Sequence, residues 1–163
     1  MILQSFQKAH VMMITLDTLK AEQIRLAAMI EQFSQQSQPT LLILPETAIH
    51  LQPGERYAGP VMDADGFISH HLVLMPGLRE DITWKDAMAW AEEIGGALPS
   101  RQEQALLYAN LKSEFEPKWY WSGQVHEDDS SYAWSQDFND GYQFNGHQSY
   151  EGRARAVRRI PLA

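Results

Sequence analysis

The sequence predicts an α+β domain preceded by a separate helix, on three observations. Residues 12–33 repeat apolar positions every three or four residues, as an amphipathic helix does. Two helix-start signals follow at Thr83 and Ser100, each with an acidic residue three positions later. From residue 119 onward aromatic and polar residues alternate, as they do along a half-buried strand. Helical and strand segments thus fall in separate blocks, which is typical of α+β folds.

The predicted N-terminal helix has the seven-residue period of a coiled-coil seam. Its seam positions are Met12, Leu16, Leu19, Gln23, Leu26, Ile30 and Phe33. Two interpretations remain open: the stripe packs on the helix's own domain, or it joins several copies of the chain in a homo-oligomer. Gln23 favours association, because a polar residue within such a stripe fixes register or oligomer state. The polar stretch 34–39 ends the helix as a linker, so we expect an N-terminal segment, residues 1–39, and a domain, residues 40–163.

Two short helices are predicted in the middle of the domain. Thr83 caps the first, and the glycine pair 95–96 ends it. Ser100 and Glu103 form the same capping pattern for the second helix, which must end before Pro117.

Six segments have the composition of strands: residues 40–44, 67–74, 119–122, 132–138, 142–144 and 153–160. His70 and His71 are neighbours on the second segment, where successive side chains point to opposite faces. The two rings therefore cannot bind one metal ion together, and a structural role is expected. Asn139-Asp140-Gly141 predicts a tight hairpin between the fourth and fifth segments, because Asp-Gly supplies the positive φ of such a turn.

Composition and motifs exclude several classes of function. The 163 residues carry a formal net charge of −8, whereas nucleic-acid binding needs clustered Lys and Arg. The absence of cysteine removes disulfides and thiolate chemistry. No apolar run reaches the roughly 20 residues that cross a bilayer, and no signal-peptide pattern is present, so we expect a soluble chain made in the cytoplasm with no membrane partner. No serine elbow, phosphate-binding glycine loop or His-Glu-x-x-His pair occurs, which disfavours an enzyme.

Residues 115–150 hold ten of the chain's 17 aromatic residues, interleaved with Ser, Asn, Gln, Asp and His. This mixture is typical of recognition surfaces, because Tyr and Trp give large rigid contact area and their small polar neighbours add hydrogen bonds. We expect Trp119, Trp121 and Phe138 to lie in the core, since they alternate with polar residues along predicted strands. For four others the core and an exposed binding face stay equally open: Tyr132, Trp134, Phe144 and Tyr150.

The acidic run 126–129, with Asp137 and Asp140 nearby, has the oxygen ligands that Ca²⁺ binds. Its spacing matches no EF-hand loop, so a solvated acidic loop is the better interpretation. We therefore expect neither a metal nor a cofactor. For Arg153 and Arg155 two roles are open, as structural partners of acidic residues or as part of the site, and we expect the structural one.

Several motifs, taken in order, resemble a known family. They are Ile82-Thr83-Trp84-Lys85-Asp86-Ala87-Met88-Ala89-Trp90-Ala91, Gly95-Gly96-Ala97-Leu98-Pro99-Ser100-Arg101-Gln102-Glu103, Trp119-Tyr120-Trp121-Ser122-Gly123, Tyr132-Ala133-Trp134-Ser135-Gln136-Asp137-Phe138, Asp140-Gly141 and Arg153-Ala154-Arg155-Ala156-Val157-Arg158. Over about residues 55–160 the chain resembles the C-type-lectin-like domain at the C-terminus of collagen-like bacterial adhesins, which also occurs in phage and prophage proteins. The resemblance implies a C-type-lectin-like fold, with two helices beside a twisted antiparallel sheet and the final strand paired near the start of the domain.

The resemblance also implies a place for a binding surface. In the wider lectin-like fold, one face of the C-terminal sheet and its loops displays variable side chains that bind ligands, and here this surface corresponds to residues 124–150. The chain lacks the cysteines and the Glu-Pro-Asn or Trp-Asn-Asp calcium motifs of sugar-binding lectins. Calcium-dependent sugar binding is therefore not implied.

The leading hypothesis is a noncatalytic ligand-recognition module, phage- or prophage-encoded, that binds a protein or glycan. Its candidate ligand-binding residues are Gln124, His126, Asp128, Tyr132, Trp134, Gln136, Asn139, Phe144, Asn145, His147 and Tyr150. If residues 12–33 join several copies, avidity would exceed single-site affinity by roughly 100-fold or more, which suits receptor binding by a virion-associated protein.

Two alternatives remain. A small intracellular phage protein could bind and inhibit a host factor by presenting its acidic face to a basic surface. An enzyme using buried carboxylates as acid and base would instead require a concave pocket that holds a strongly shifted acid.

Overall fold

The computed structural model describes residues 15–35 and 48–162, which belong to two separate units of the chain. The first unit contains helix α1 (Leu16–Ser34). Thr15 is extended and caps α1 through a capping box with Thr18, so this local hydrogen bonding sets the start of the helix.

Helix α1 has no buried residue, and its apolar seam is exposed along its whole length. Three features predicted nearby lie outside the described residues: the seam position Met12, the strand 40–44 and the domain boundary at residue 40. Whether copies of the chain associate through the seam stays a prediction.

The second unit is α+β, as predicted. Its elements in chain order are β1 (Arg56–Met62), β2 (Ile68–Leu74), β3 (Arg79–Ile82), α2 (Trp84–Glu93), α3 (Arg101–Leu111), a 3-10 turn (Lys112–Glu114), β4 (Trp119–Val125), β5 (Tyr132–Asp137), β6 (Gln143–His147), β7 (Gly152–Ala154) and β8 (Val157–Pro161). Strands β1-β2-β8 form a three-stranded sheet, and β3-β7-β4-β5-β6 form a five-stranded sheet. The described strands pair antiparallel, except for β4 with β7.

The strands differ from the prediction at three places. The segment 153–160 is not one strand: β7 joins the five-stranded sheet and β8 joins the other, and the chain crosses between them at Arg155 and Ala156. Strand β1 is not among the predicted strands; it contains Pro60, which an edge strand tolerates because one side has no ladder to complete. Strand β3 is short and mostly charged, so it carries no apolar alternation.

The two central helices begin at the predicted caps and cover opposite faces of the five-stranded sheet. Thr83 and Ser100 each accept a hydrogen bond from the first turn of their helix. Helix α3 packs Leu107 into one core with Tyr120, whereas α2 packs Ala91 into another with Trp121. Because Tyr120 and Trp121 are successive residues of β4, their side chains point to opposite faces of the sheet.

A buried carboxylate ties α3 to the three-stranded sheet. Glu103 is 1% exposed and accepts hydrogen bonds from both Nε and Nη2 of Arg159, at 2.6 and 2.7 Å, as well as from the Ser100 backbone. Its Oε1 also lies 2.8 Å from Nε2 of His70. Burial raises the pKa of Glu103, but the hydrogen bonds from Arg159 and Ser100 outweigh it and leave that pKa below its ordinary value.

A second buried carboxylate, Glu55, pairs with Arg158, the residue of β8 that precedes Arg159. Glu55 accepts two hydrogen bonds from Arg158, at 2.9 and 2.6 Å, and one from the Gln52 backbone. The hydrogen bonds from Arg158 outweigh burial and lower the pKa of Glu55. The neighbouring histidines turn to different partners, His70 to Glu103 and His71 to the Tyr57 hydroxyl, in agreement with the predicted alternation.

Candidate functional site

A cleft of about 270 Å³ opens on the five-stranded sheet. We term it the aromatic cleft, and its lining residues are Trp119, Trp121, Ser135, Phe144, Asn145, Gly146, Tyr150, Glu151 and Gly152. Its surface is mostly apolar. Small-molecule sites usually measure about 300–1,000 Å³, so this cleft suits a single side chain or ring rather than an extended ligand.

The register of the sheet brings these rings together. Trp121 on β4 is opposite Ser135 on β5, and Ser135 is opposite Phe144 on β6. Residues paired directly across antiparallel strands share a face, so all three side chains lie on one side of the sheet. Trp119 precedes Trp121 by two residues and lies on the same side.

The hairpin between β5 and β6 fixes that register. The Gly141 N–H donates to the Asp137 carbonyl and the Asp137 N–H donates to the Tyr142 carbonyl, both at 2.8 Å. Gly141 has φ +86°, a conformation that favours glycine. The predicted hairpin at residues 139–141 is thus present. It also presents Tyr142, whose ring stacks against Phe144 at 6.2 Å and meets the edge of Trp119 at 6.3 Å. The aromatic surface therefore continues beyond the cleft.

Trp121 forms a rigid floor. Its indole N–H donates to the Ile82 carbonyl at 3.1 Å, which fixes the plane of the ring. Two glycines leave room for it: a Cβ at Gly152 would lie 2.8 Å from Nε1, and one at Gly146 would lie 3.3 Å from Cη2. The floor is therefore organised before any ligand arrives, which reduces the entropic cost of binding.

The walls are the accessible part. Phe144 is 54% exposed, Tyr150 is 66% exposed and Trp119 is 40% exposed. Phe144 and Tyr150 were two of the aromatic residues for which core and surface positions stayed open, and both lie at the surface.

Arginines beside the cleft have structural contacts, as expected for Arg153 and Arg155. Arg153 forms ion pairs with Glu80 at 2.5 Å and Glu116 at 2.7 Å. Arg155 donates to the carbonyls of Glu114 and Met75, and burial lowers its pKa.

Three predicted residues, Gln124, His126 and Trp134, lie on the opposite face of the sheet. Together with Arg101 and Glu127, which were not predicted, they form a group that we term the Trp134 cluster. The Arg101 guanidinium lies 3.6 Å from the centre of the Trp134 ring, and the His126 ring stacks on the same indole at 5.2 Å. The Trp134 N–H donates to Glu127, and the Gln124 side chain accepts from the Arg101 backbone. Because these polar groups already contact one another, few of them are free to form hydrogen bonds with a ligand.

The acidic loop after β4 uses its carboxylates in local turns. Asp129 accepts hydrogen bonds from the hydroxyl and the backbone N–H of Ser131, and the hydroxyl is the main cause of a lowered Asp129 pKa. Asp128 lies in this loop, exposed, and its N–H donates to His126. In residues 15–35 and 48–162, no three His, Asp or Glu side chains converge to hold a metal ion.

The remaining predicted residues lie along β6, beside it on β5, and in the hairpin turn before it. Tyr132 and His147 meet edge to face at 5.4 Å beside the Tyr150 turn. Asn145 is opposite Trp134 in the register and also reaches the rim of the aromatic cleft. Asn139 lies apart in the hairpin turn, where its carbonyl accepts from Lys112.

Two expectations are corrected. Gln136 was a candidate ligand contact, but it is 1% exposed, because it faces α3 and hydrogen-bonds to Gln104 and Gln143. Trp119 was expected in the core, yet it lies at the start of β4 and joins neither packed core, whereas Trp121 lies under α2. The burial of Trp121 and Phe138 is confirmed.

Sequence reasoning missed three residues that shape these surfaces: Trp119 as an exposed wall, Glu151 at the rim of the cleft and Arg101 over Trp134. For Trp119 the sequence did hold a signal: strand alternation places its side chain on the same face of the sheet as that of Trp121. Arg101 and Trp134 are far apart in the chain, so no local pattern indicates their contact.

Searches of protein-family profiles and of curated protein sequences find no match to this chain. No helix in the described part of the chain is long and apolar enough to span a membrane.

Proposed function

We propose that this chain is a noncatalytic recognition module that binds a protein or glycan ligand in the aromatic cleft. The observation that carries the proposal is the exposed ring of Phe144 beside Tyr150 and Trp119, around the fixed floor of Trp121. Contiguous exposed apolar surface on a folded domain marks an interaction site, and Trp and Tyr are the residues that most often dominate binding energy.

The positions of the buried carboxylates support a noncatalytic role. Glu55 and Glu103 are both paired with arginine, which lowers their pKa, so neither is poised to donate a proton near neutral pH. Neither lines the aromatic cleft. The enzyme alternative required a concave pocket that holds a shifted acid, and these two acids do not supply one.

We also propose that the domain has a C-type-lectin-like fold and a phage or prophage origin, with virion association as its setting. Support comes from the motifs that carry the resemblance and from two features of the topology: two helices lie against the sheet, and β8 pairs with β2 near the start of the unit. Fold alone does not determine ligand or activity, so the binding proposal depends on the cleft.

We further propose that α1 joins copies of the chain through its exposed seam. Replacing Ile30, a seam residue, with Asp would place a charge in the helix interface and reduce the solution mass to that of a monomer, measured by light scattering. Ile24→Asp is the matched control, because Ile24 is equally apolar and exposed but lies outside the seam. A monomeric parent chain, or equal effects of both variants, would refute association through the seam.

The binding proposal is tested by panning the full chain against a random peptide library and a glycan array. Every retained peptide or glycan is then measured against Phe144→Ala, Tyr150→Ala and a control, Phe67→Ala. Phe67 is a suitable control because it is as exposed as Phe144 but lies in the turn before β2. We expect roughly tenfold or greater loss of affinity for the two cleft variants and none for the control. Equal binding by all variants, or no retained ligand, would contradict the proposal.

A further inference from the structure

One carboxylate at the aromatic cleft has no partner in the described structure. Glu151 is exposed and is the only charged residue that lines the cleft, and its carboxylate forms neither a hydrogen bond nor an ion pair with any described residue. This distinguishes it from nearby Glu80 and Glu116, which are both bound to Arg153. A free carboxylate beside apolar rings gives the site one unmatched negative charge.

The surrounding sequence strengthens that charge. Residues 114–151 contain eight acidic residues and a single basic one, Lys118. Asp137 is directly opposite Trp119 in the sheet, so a second carboxylate borders the aromatic surface. The neighbouring Arg153 is compensated by Glu80 and Glu116, so Glu151 and Asp137 leave the charge beside the cleft negative. A negative charge here attracts a cationic group and repels an anionic one.

The apolar lining argues against a sugar as the occupant. A sugar ring brings several hydroxyls that must keep hydrogen bonds when they leave water. The Ser135 hydroxyl, one of the few polar groups lining the cleft, already donates to the Phe144 carbonyl at 3.0 Å. A group with an apolar stem and a single charged end leaves fewer polar atoms unpaired.

Arginine has this chemistry. Its guanidinium stacks on aromatic faces and binds carboxylates with two parallel hydrogen bonds, while its methylene stem packs on apolar surface. The chain shows the same combination within the Trp134 cluster, where Arg101 lies over Trp134 and 3.9 Å from Glu127.

We propose that the aromatic cleft receives an arginine side chain of a protein partner, with the guanidinium held by Glu151 and the aromatic walls. The proposal rests on the proposed function and narrows its ligand to a basic segment of a protein. Charge complementarity and the side-chain-sized volume of the cleft are its two independent supports.

The test is an NMR titration of the isotope-labelled full chain with the capped pentapeptide Gly-Ser-Arg-Ser-Gly, following the indole N–H signals of Trp119 and Trp121. The control peptide carries citrulline, which has the shape of arginine without its charge. We expect saturable shifts of both indole signals with the arginine peptide, and an affinity at least about tenfold lower for citrulline, equivalent to about 1.4 kcal/mol.

Two variants of the chain test whether the Glu151 carboxylate is the charge that binds the arginine peptide. Glu151→Gln should weaken binding of the arginine peptide about threefold and leave the citrulline peptide unchanged. Glu92→Gln is the matched control, since it removes the same charge from an exposed position at the end of α2 and should have no effect.

Equal affinity for both peptides, absence of saturable shifts, or insensitivity to Glu151→Gln would overturn the arginine proposal. Its failure differs from failure of the proposed function. If a neutral peptide or glycan from the panning experiment still depends on Phe144, the cleft is a binding site and only its arginine specificity is refuted.

Discussion

The two sheets of the domain use their polar and apolar residues in opposite ways. The three-stranded sheet buries charge: Glu55 and Glu103 lie almost inaccessible to solvent, each held by an arginine of β8. The five-stranded sheet exposes apolar surface, with Phe144 and Tyr150 both more than half accessible. At the first sheet both buried carboxylates described have an arginine partner, whereas at the second the exposed rings surround the aromatic cleft.

This difference indicates that the buried ion pairs stabilise the domain, whereas the exposed rings serve ligand binding. A buried charge without its partner is strongly unfavourable, so we expect the removal of one member of a pair at the three-stranded sheet to destabilise the domain. An exposed ring contributes little to folding because most of its surface stays in water. Exposed rings in a contiguous group are therefore better explained by a ligand than by the stability of the domain.

The largest expected effect is on the buried pair of α3. Glu103→Gln keeps a side chain able to complete the capping box but leaves Arg159 and His70 without a carboxylate. We expect the free energy of unfolding to fall by about 3–5 kcal/mol, measured by urea denaturation. Glu92→Gln should change it by less than about 0.5 kcal/mol. A loss below about 1 kcal/mol at Glu103 would show that this pair does not support the fold.

Two phenylalanines, six residues apart, compare the core with the cleft. Phe138 is 1% exposed and stacks on Phe115, so Phe138→Ala should lower the free energy of unfolding by about 3–5 kcal/mol. Phe144→Ala should lower it by less than about 1 kcal/mol, because the side chain is already half in water. Thermal and urea unfolding of the two variants measure this difference. Similar losses would mean that Phe144 is a core residue and would remove it from the site.

The smallest expected effect is on pH dependence. Arg158 lowers the pKa of Glu55 in the folded state. In acid the unfolded chain therefore binds more protons than the folded chain, and the free energy of unfolding falls as the pH drops. The contribution is fully present above the unfolded value of about 4.3 and is lost as pH falls through the folded pKa. Urea denaturation between about pH 7 and pH 3 should therefore show a shallower acid loss in Glu55→Gln than in the parent chain. An identical slope would exclude a contribution from this carboxylate.

Local patterns in the sequence correctly predicted the structural features that depend only on neighbouring residues, namely helix caps and a hairpin turn. The caps at Thr83 and Ser100 and the hairpin at residues 139–141 are each determined within a few positions, and all three are present. The binding surface depends instead on which strands pair. Trp119 and Trp121 have the same alternation, but only Trp121 lies under α2, so the sequence alone cannot separate them.

The candidate residues fall on two faces of the sheet, and the sequence did not predict this division because it depends on contacts between distant parts of the chain. Alternation predicts that Trp134 and Ser135 point to opposite sides of β5, but it does not show which side a helix covers. Gln136 is buried because α3 covers its face, and the contact with Gln104 joins residues far apart in the chain. Phe144 and Tyr150 come together with the two tryptophans only once β6 has paired with β5.

The most direct test of the recognition account compares the two faces. For a peptide or glycan retained by panning, affinity is measured by calorimetry for Phe144→Ala in the aromatic cleft and for Trp134→Ala and Gln124→Ala on the opposite face, with folding checked by circular dichroism. We predict roughly tenfold or greater loss for Phe144→Ala and little change for Gln124→Ala and for any Trp134→Ala protein that folds. Loss confined to Gln124→Ala and Trp134→Ala would contradict the account and place the ligand at the Trp134 cluster.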